Sequence, residues 1–353
     1  MKIGLFNTAF VGDLALMSRL VDALARAGHD LVLFSNGAGC QLYKMDSRIQ
    51  KTVVVKKSKG AAKISSVFQI AAQIRSEQLD VLILAHRSLT SAAIALLSGQ
   101  ARVVTFPETA LARFFFNKSP DAGVTHESSR YLLLANGFSS EEDRGKSGMS
   151  LFGDVSLSSF SSKFPDFMME SRGKYFVCAP GSVWNTKKYP PELLAELLGR
   201  LLSSKPELRC VLSGGPADFQ TMTQVIDGLK NREEFKDARS RLIDARDCLP
   251  LSELIELIRG AQFVLTPDSA PLHIASATGT RAFAFFGPTP SDTGFGPLSE
   301  KSEILSYPLL LGRPLTCQPC SKHGQNICPL GHHSCLADLP PQLVAEHMLN
   351  SLR

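Results

Sequence analysis

Asp268 and Ser269 stand between an apolar run, Gln262–Thr266, and a segment of helical spacing that carries His273. Such a strand-to-helix turn sets a carboxylate and a hydroxyl beside backbone N–H groups that have no partner inside the helix. These groups together can hold the hydroxyls of a sugar and the phosphates of its nucleotide carrier, and they would equally serve as an ordinary Asp/Ser helix cap. A second carboxylate, Asp13, follows Gly12 at the opening of the first helical segment. There it either caps the helix, worth about 1 kcal/mol, or acts as general base on an acceptor hydroxyl at the mouth of a cleft. Ala179–Pro191 reads APGSVWNTKKYPP, a Gly-Ser turn with Ser182 followed by Lys187 and Lys188. Hydroxyl and backbone donors with a mobile ammonium suit an anionic diphosphate, although lysines of this kind also line plain solvated loops. Asp218, closing the Gly-Gly-Pro turn of VLSGGPAD, could accept hydrogen bonds from a ribose diol or cap the helix after it. His126, opening the segment His126–Tyr131, reads as structural.

These residues need elements to place them. In the first half apolar strands are readable at Lys2–Asn7, Leu31–Ser35, Thr52–Val55, Val81–Ala85 and Arg102–Phe106. Leu14, Met17, Val21 and Leu24 repeat at helical spacing, and Gly28 is placed to end that helix at Ala27. The second half repeats the pattern, with strands at Tyr175–Ala179, Leu208–Ser213, Arg241–Asp244, Gln262–Thr266 and Arg281–Phe286 and helices near Pro191–Ser203 and Leu251–Arg259. Alternating units of this kind predict an α/β chain of two parallel, doubly wound, Rossmann-like domains facing across a cleft. Ser139–Arg172, rich in Ser, Gly and charge, reads as their connection, with domains over 1–165 and 166–353 and a last helix that could pack back on the first.

At 353 residues each half is long enough to bury its own core. A hydrophobic share of 44% and a charged share of 20% are those of an ordinary globular chain. The net charge of +5 suits an anionic ligand or a membrane surface but falls far short of a nucleic-acid arm, so no nucleic-acid partner is expected. No run approaches the length of a membrane span, the N-terminus is too short an apolar run for a signal peptide, and a cytoplasmic location follows. Gly145-Lys146-Ser147 imitates the end of a P-loop, but Ser140 stands where the loop needs glycine. The first turn, Asn7–Asp13, also lacks the three-glycine dinucleotide fingerprint. Both absences argue against an NTPase and against a nicotinamide dehydrogenase.

Eight cysteines fall into two groups. Cys40, Cys178, Cys210 and Cys248 lie in or near strands and read as buried thiols. Cys317, Cys320, Cys328 and Cys335 cluster with His323, His332 and His333, a spacing that would suit structural zinc.

Taken together, Val11-Gly12-Asp13, the Pro180-Gly181 turn with Lys187-Lys188-Tyr189-Pro190, the Gly-Gly-Pro-x-Asp turn, Asp268-Ser269-x-x-x-His273 and Phe286-Gly287-Pro288-Thr289 resemble the ADP-heptose:lipopolysaccharide heptosyltransferases, glycosyltransferase family 9. The resemblance spans nearly the whole chain and is more specific in its C-terminal half. It implies the GT-B fold and an inverting transfer of heptose from ADP-heptose to the inner-core oligosaccharide of a lipid A precursor. It also implies Asp13 as catalytic base, Lys187 on the phosphate with Ser182 in the preceding turn, Asp268 on the heptose, and Ser269 and Ala270 facing phosphate. Leu249 would pack on adenine, Asp218 would meet the ribose, and His273 belongs to the same donor-binding motif. Ala270 departs from the usual glycine and Tyr189 from the usual tryptophan.

Lys187 and helix N-termini can neutralise the leaving diphosphate, so neither a catalytic metal nor a cofactor beyond the donor is expected. CQPC followed by CPLGHHSCL also resembles a tail of heptosyltransferase II-like members. There the thiols would stay reduced and order a C-terminal loop, with structural zinc the alternative. Phe106–Lys118, with Phe114-Phe115-Phe116 between Arg113 and Lys118, could meet a lipid-anchored, phosphorylated acceptor on the inner membrane or could be core aromatics beside a loop. A non-catalytic nucleotide-sugar-binding protein, a GT-B transferase for another donor sugar and a zinc-stabilised interaction module are the rival readings.

Overall fold

The computed structural model describes residues 1–58, 60, 62–109, 115–119, 123, 125–170, 174–246, 249–292 and 294–353, with residues 168–170 by backbone only. Arg113, Phe114 and Cys248 lie outside the described residues. Two compact units divide the chain, Met1–Gly153 and Asp154–Arg353.

The first unit is built on strands β1 (Lys2–Phe6), β2 (Asp30–Ser35), β3 (Ile49–Val54), β4 (Val81–Leu84), β5 (Val103–Thr105) and β6 (Asn117–Lys118). They pair in the order β3-β2-β1-β4-β5-β6, all parallel, with Leu5 flanked by Leu33 and Ile83. The second unit has β7 (Tyr175–Cys178), β8 (Arg209–Leu212), β9 (Leu242–Asp244), β10 (Phe263–Pro267), β11 (Arg281–Phe285) and β12 (Glu303–Leu305). Its parallel order, β12-β11-β10-β7-β8-β9, is the same winding repeated. Each sheet therefore reverses direction once, between β1 and β4 and between β7 and β10. Sheets of this winding take ligands beyond the strand C-termini at such a switch point, where successive loops diverge.

Strands buried on both faces read as continuous apolar runs, which is why Val-Leu-Ile-Leu of β4 and Tyr-Phe-Val-Cys of β7 are wholly buried. Phe176 of β7 stacks on Phe263 of β10 at 4.6 Å, and Phe263 meets Phe283 of β11 edge-on at 5.3 Å. The helix Pro191–Ser204 presses Leu194, Leu198 and Leu201 beneath this sheet, each worth about 1.5–3 kcal/mol of apolar burial. The last helix, Pro341–Ser351, adds Val344, Ala345 and Met348 to the same core.

Several elements differ from the sequence reading. The single helix expected up to Ala27 is two, Val11–Leu16 and Ser18–Arg26, meeting at Met17, with Gly28 left-handed beyond the second. Strands β6 and β12 are short edges of 2 and 3 residues, too short to leave a periodic signal. The stretch read as an irregular connection contains helices Glu141–Lys146, Ser158–Lys163 and Pro165–Glu170. Gly145 and Lys146 belong to the first of these, which a Ser140–Asp143 capping box opens. Glu253, 2% exposed, accepts the Ser159 and Phe160 N–H groups at 3.0 Å each, and Asp154 N–H donates to Ser252. Those bonds tie residues 154–165, expected with the first domain, to the second unit.

Candidate functional site

In the second unit the switch point lies between the turns that follow β7 and β10. Asp268 is the first residue past β10, and its N–H donates to Phe285 of β11 at 3.1 Å. Its carboxylate, 8% exposed, does not cap the following helix. It accepts the Lys187 ammonium at 2.5 Å and the Thr289 hydroxyl at 3.1 Å, both on Oδ2. Ser269 occupies the N-cap position of helix Ala270–Thr278 without a side-chain cap bond; its hydroxyl pairs with that of Thr266 at 3.0 Å instead. Ala270 is the first helical residue, and Pro271 after it offers no N–H. His273 is buried on this helix with its ring tilted against Phe295 at 6.2 Å.

The turn after β7 carries Lys187 at the end of a 3-10 turn, Asn185–Lys187. Tyr189, two residues on, is a core residue: its ring stacks on Phe285 at 4.3 Å and its hydroxyl donates to Leu339 at 2.6 Å. It thus anchors the lysine-bearing turn from below. Ser182 is half-buried, its hydroxyl accepting the Trp184 N–H at 3.4 Å.

Asp218 lies where a Gly181 side chain would be, so any Cβ at 181 would collide with its carboxylate. It folds back to accept the Gly215 N–H at 3.1 Å. Burial raises its pKa, opposed by that N–H and by Lys188. The two lysines therefore serve different carboxylates, Lys187 at Asp268 and Lys188 toward Asp218. Leu249 is half-buried just before Pro250, the N-cap residue of helix Leu251–Gly260.

In the first unit Asp13 sits inside the first turn of helix Val11–Leu16, not at its N-cap, which is Phe10. Its carboxyl is pushed up to about 6 by burial first and then by Glu127, against Arg87 and the Phe10 and Asp13 N–H groups. A carboxylate poised near neutrality is what a general base requires. Glu127, 3% exposed, is clamped by Arg87 at 2.6 Å and Arg130 at 3.3 Å. His126 N-caps the helix Glu127–Leu133 through Ser128 N–H, as a structural residue would.

A second polar group lies past β3 and β4. Lys57 donates to His86 Nδ1 at 3.2 Å and to Ser91 Oγ at 2.8 Å, and Thr8 Oγ1 lies 2.9 Å from the same ring nitrogen. An ammonium only donates, so Nδ1 accepts and the ring proton sits on Nε2. Burial, then Lys57 and Arg87, lower His86 to about 4, and burial lowers Lys57 to about 8.

Glu127, Arg87, Lys57 and His86 were not legible as site residues. A Glu in a first helical turn and a His after a strand are common, and only the packing of helix Glu127–Leu133 on helix Val11–Leu16 makes Glu127 relevant to Asp13. Thr289 had a signal, its place in the Phe286–Thr289 motif.

Two parallel sheets of identical winding, each with an acidic residue at its switch point, are the architecture of the GT-B class. The sequence pattern of glycosyltransferase family 9 (heptosyltransferase) matches residues 67–326, and the chain belongs to that family. Lipooligosaccharide heptosyltransferase 2 of Campylobacter jejuni is 25% identical over 244 residues, covering 68% of each chain. The structure of Escherichia coli ADP-heptose lps heptosyltransferase II is similar with a TM-score of 0.77 at 18% identity, over 100% of this chain and 98% of that one. That of E. coli heptosyltransferase WaaC with ADP gives 0.69 at 17% identity, over 99% of this chain and 100% of that one.

Proposed function

We propose that this chain transfers heptose from ADP-heptose to the inner-core oligosaccharide of a lipopolysaccharide precursor, with inversion at the anomeric carbon. The observation that carries the donor half of this reading is the Lys187–Asp268–Thr289 cluster at the second switch point, beside the Ser269 helix end. Lys187 and that helix end take the diphosphate, and Asp268, once its lysine turns to phosphate, takes heptose hydroxyls. Ser182 belongs to the Lys187 turn and Ala270 and His273 to the Asp268 motif, with Asp218 for the ribose and Leu249 for adenine. The solved relative named with ADP supports an adenosine diphosphate carrier.

Asp13 then removes the proton of the acceptor hydroxyl. The acceptor oxygen forms a bond to the anomeric carbon as the bond from that carbon to the β-phosphate oxygen breaks. Both electrons leave with ADP, whose new charge Lys187 and the helix end stabilise. Lys57, a half-buried ammonium, with the Nε2–H of His86 beside it, suits an anionic group on the acceptor. No further cofactor and no nucleic acid enters this scheme.

Among the described residues no helix is long and apolar enough to cross a membrane. Phe106 is buried beneath the Arg87 guanidinium and Phe116 packs on the core, whereas Phe115 is 60% exposed. A lipid-anchored acceptor at the inner face of the inner membrane fits the exposed Phe115 ring, and a cytoplasmic location fits the described cysteines, which form no disulfide. The test is ADP release from ADP-heptose with heptose-deficient lipopolysaccharide, compared with UDP-, GDP- and CMP-linked sugars. Product of increased mass only with the ADP-linked heptose supports the reading, and turnover of another donor overturns it.

A further inference from the structure

The tail that carries the second cysteine group does not hang from the fold. It passes over both turns of the donor site. On one side Gln325 closes on Thr186: its carbonyl accepts the Thr186 N–H at 3.0 Å and hydroxyl at 2.8 Å, and its own N–H donates back to that hydroxyl at 2.9 Å. His333 Nε2 lies 2.7 Å from the Thr186 carbonyl, where it donates. Gly324, left-handed at φ 92°, has no side chain where one would lie 2.9 Å from Lys187 Cε and 2.8 Å from Trp184 Cβ. On the other side Gln318 Nε2 donates to Gly287 at 2.6 Å, and the Cys320 and Ser321 N–H groups reach Pro288 at 3.0 and 3.1 Å. Leu336 and the Cys335 sulfur fill the space beside Gly287, 2.7 and 3.1 Å from where its Cβ would be. Two residues further on, Thr289 holds Asp268.

We propose that residues 317–335 form a positioning element of the donor site, which sets Lys187 through Thr186 and Gly324 and sets Asp268 through Gly287–Thr289. Lys187 hangs on a three-residue turn with few bonds of its own, and a long flexible side chain loses entropy when it is held to one phosphate. Pinning the preceding residue on the Gln325 backbone and the His333 ring of a loop that is itself pinned to the Asp268 turn fixes the spacing between ammonium and carboxylate. Thr186, Gln318 and His333 are thus positioning residues, acting through Lys187 and Asp268. The inference rests on Lys187 being the diphosphate contact.

Calorimetric titration of the full chain with ADP tests it. Thr186→Val, which keeps shape but removes the hydroxyl, is expected to weaken ADP about fivefold, with Thr186→Ser restoring affinity. In a Lys187→Ala background Thr186→Val should add no further loss, because the two act on one contact. Equal losses in both backgrounds, or no loss where Lys187→Ala alone is weak, overturn the proposal. A Lys187→Ala chain that binds ADP as the parent does overturns instead the reading of Lys187 beneath it. His333→Asn, which tolerates the left-handed backbone at φ 52° but cannot reach Thr186, replaces Thr186→Val should that variant not fold. On the Asp268 side, Gln318→Ala should raise the ADP-heptose Kd several-fold while the ADP Kd stays within about twofold, since ADP lacks the sugar. Parallel loss for both ligands counts against the Asp268 arm.

Discussion

Asp13 combines burial with a like-charged neighbour, and both raise its pKa. Because the folded value stands above the ordinary 3.8, its contribution to stability is full below that value and lost as pH rises through about 6. Asp13→Asn, which carries no charge at any pH, should therefore melt at or above the parent's temperature at pH 7. Its turnover should fall about 10²–10⁴-fold with donor affinity unchanged. In the parent, kcat/KM should fall below about pH 6, where the base is protonated. Glu127 raises Asp13, Arg87 lowers it, and Tyr131 shares its field, so Glu127→Gln should move that acid limb to lower pH. An unshifted profile, or an active Asp13→Asn enzyme, leaves the mechanism without its base. The adjacent lysines make a second test at this scale. Lys187→Ala should raise the donor Kd at least about tenfold through a lost charge-assisted contact, and Lys188→Ala should change it little. Equal small effects would make the loop merely solvated.

Turns matter more than strands at the next scale. The Gly181 and Gly215 turns are built around one carboxylate, with Asp218 filling the space beside Gly181 and bonding Gly215 N–H. Gly181→Ala should force Asp218 outward, costing about 1–3 kcal/mol of stability and weakening nucleotide binding, read by melting temperature and ADP titration. A chain of parent stability and affinity would show that Asp218 moves freely and has no fixed part in the site. The strands were legible because buried parallel strands are continuous apolar runs, and the helix at Pro191 because proline opens it. The helices at Glu141, Ser158 and Pro165 were not, since each is 6 residues long and amphipathic periodicity needs more turns to show.

Across the whole molecule, the cysteine tail is the feature whose meaning changes most between sequence and structure. The described cysteines, Cys40, Cys178, Cys210, Cys317, Cys320, Cys328 and Cys335, form no disulfide; Cys317, Cys320, Cys328 and Cys335 lie near enough to interact, though among the described residues no three His, Cys, Asp or Glu side chains are placed to hold one metal ion. Burial pushes the Cys335 thiol up to about 12, with Cys320, Cys328 and Cys317 adding to it. Burial also opposes ionisation of Cys328, but four backbone N–H groups from Leu330 to His333 outweigh it and lower its pKa. Transfer activity should survive prolonged EDTA treatment, with magnesium dispensable; a loss that zinc restores would make these thiols ligands. The sequence by itself determined the two-fold βα alternation, the family, and the candidates Asp13, Lys187 and Asp268, because each depends on residues close in the chain. Only the tertiary structure decided that Lys187 pairs with Asp268 across 81 positions, that Glu127 tunes Asp13, and that Gln325 and His333 brace Thr186. Those relations come from strand order and helix packing, which bring distant segments to one switch point and leave no local periodicity to read.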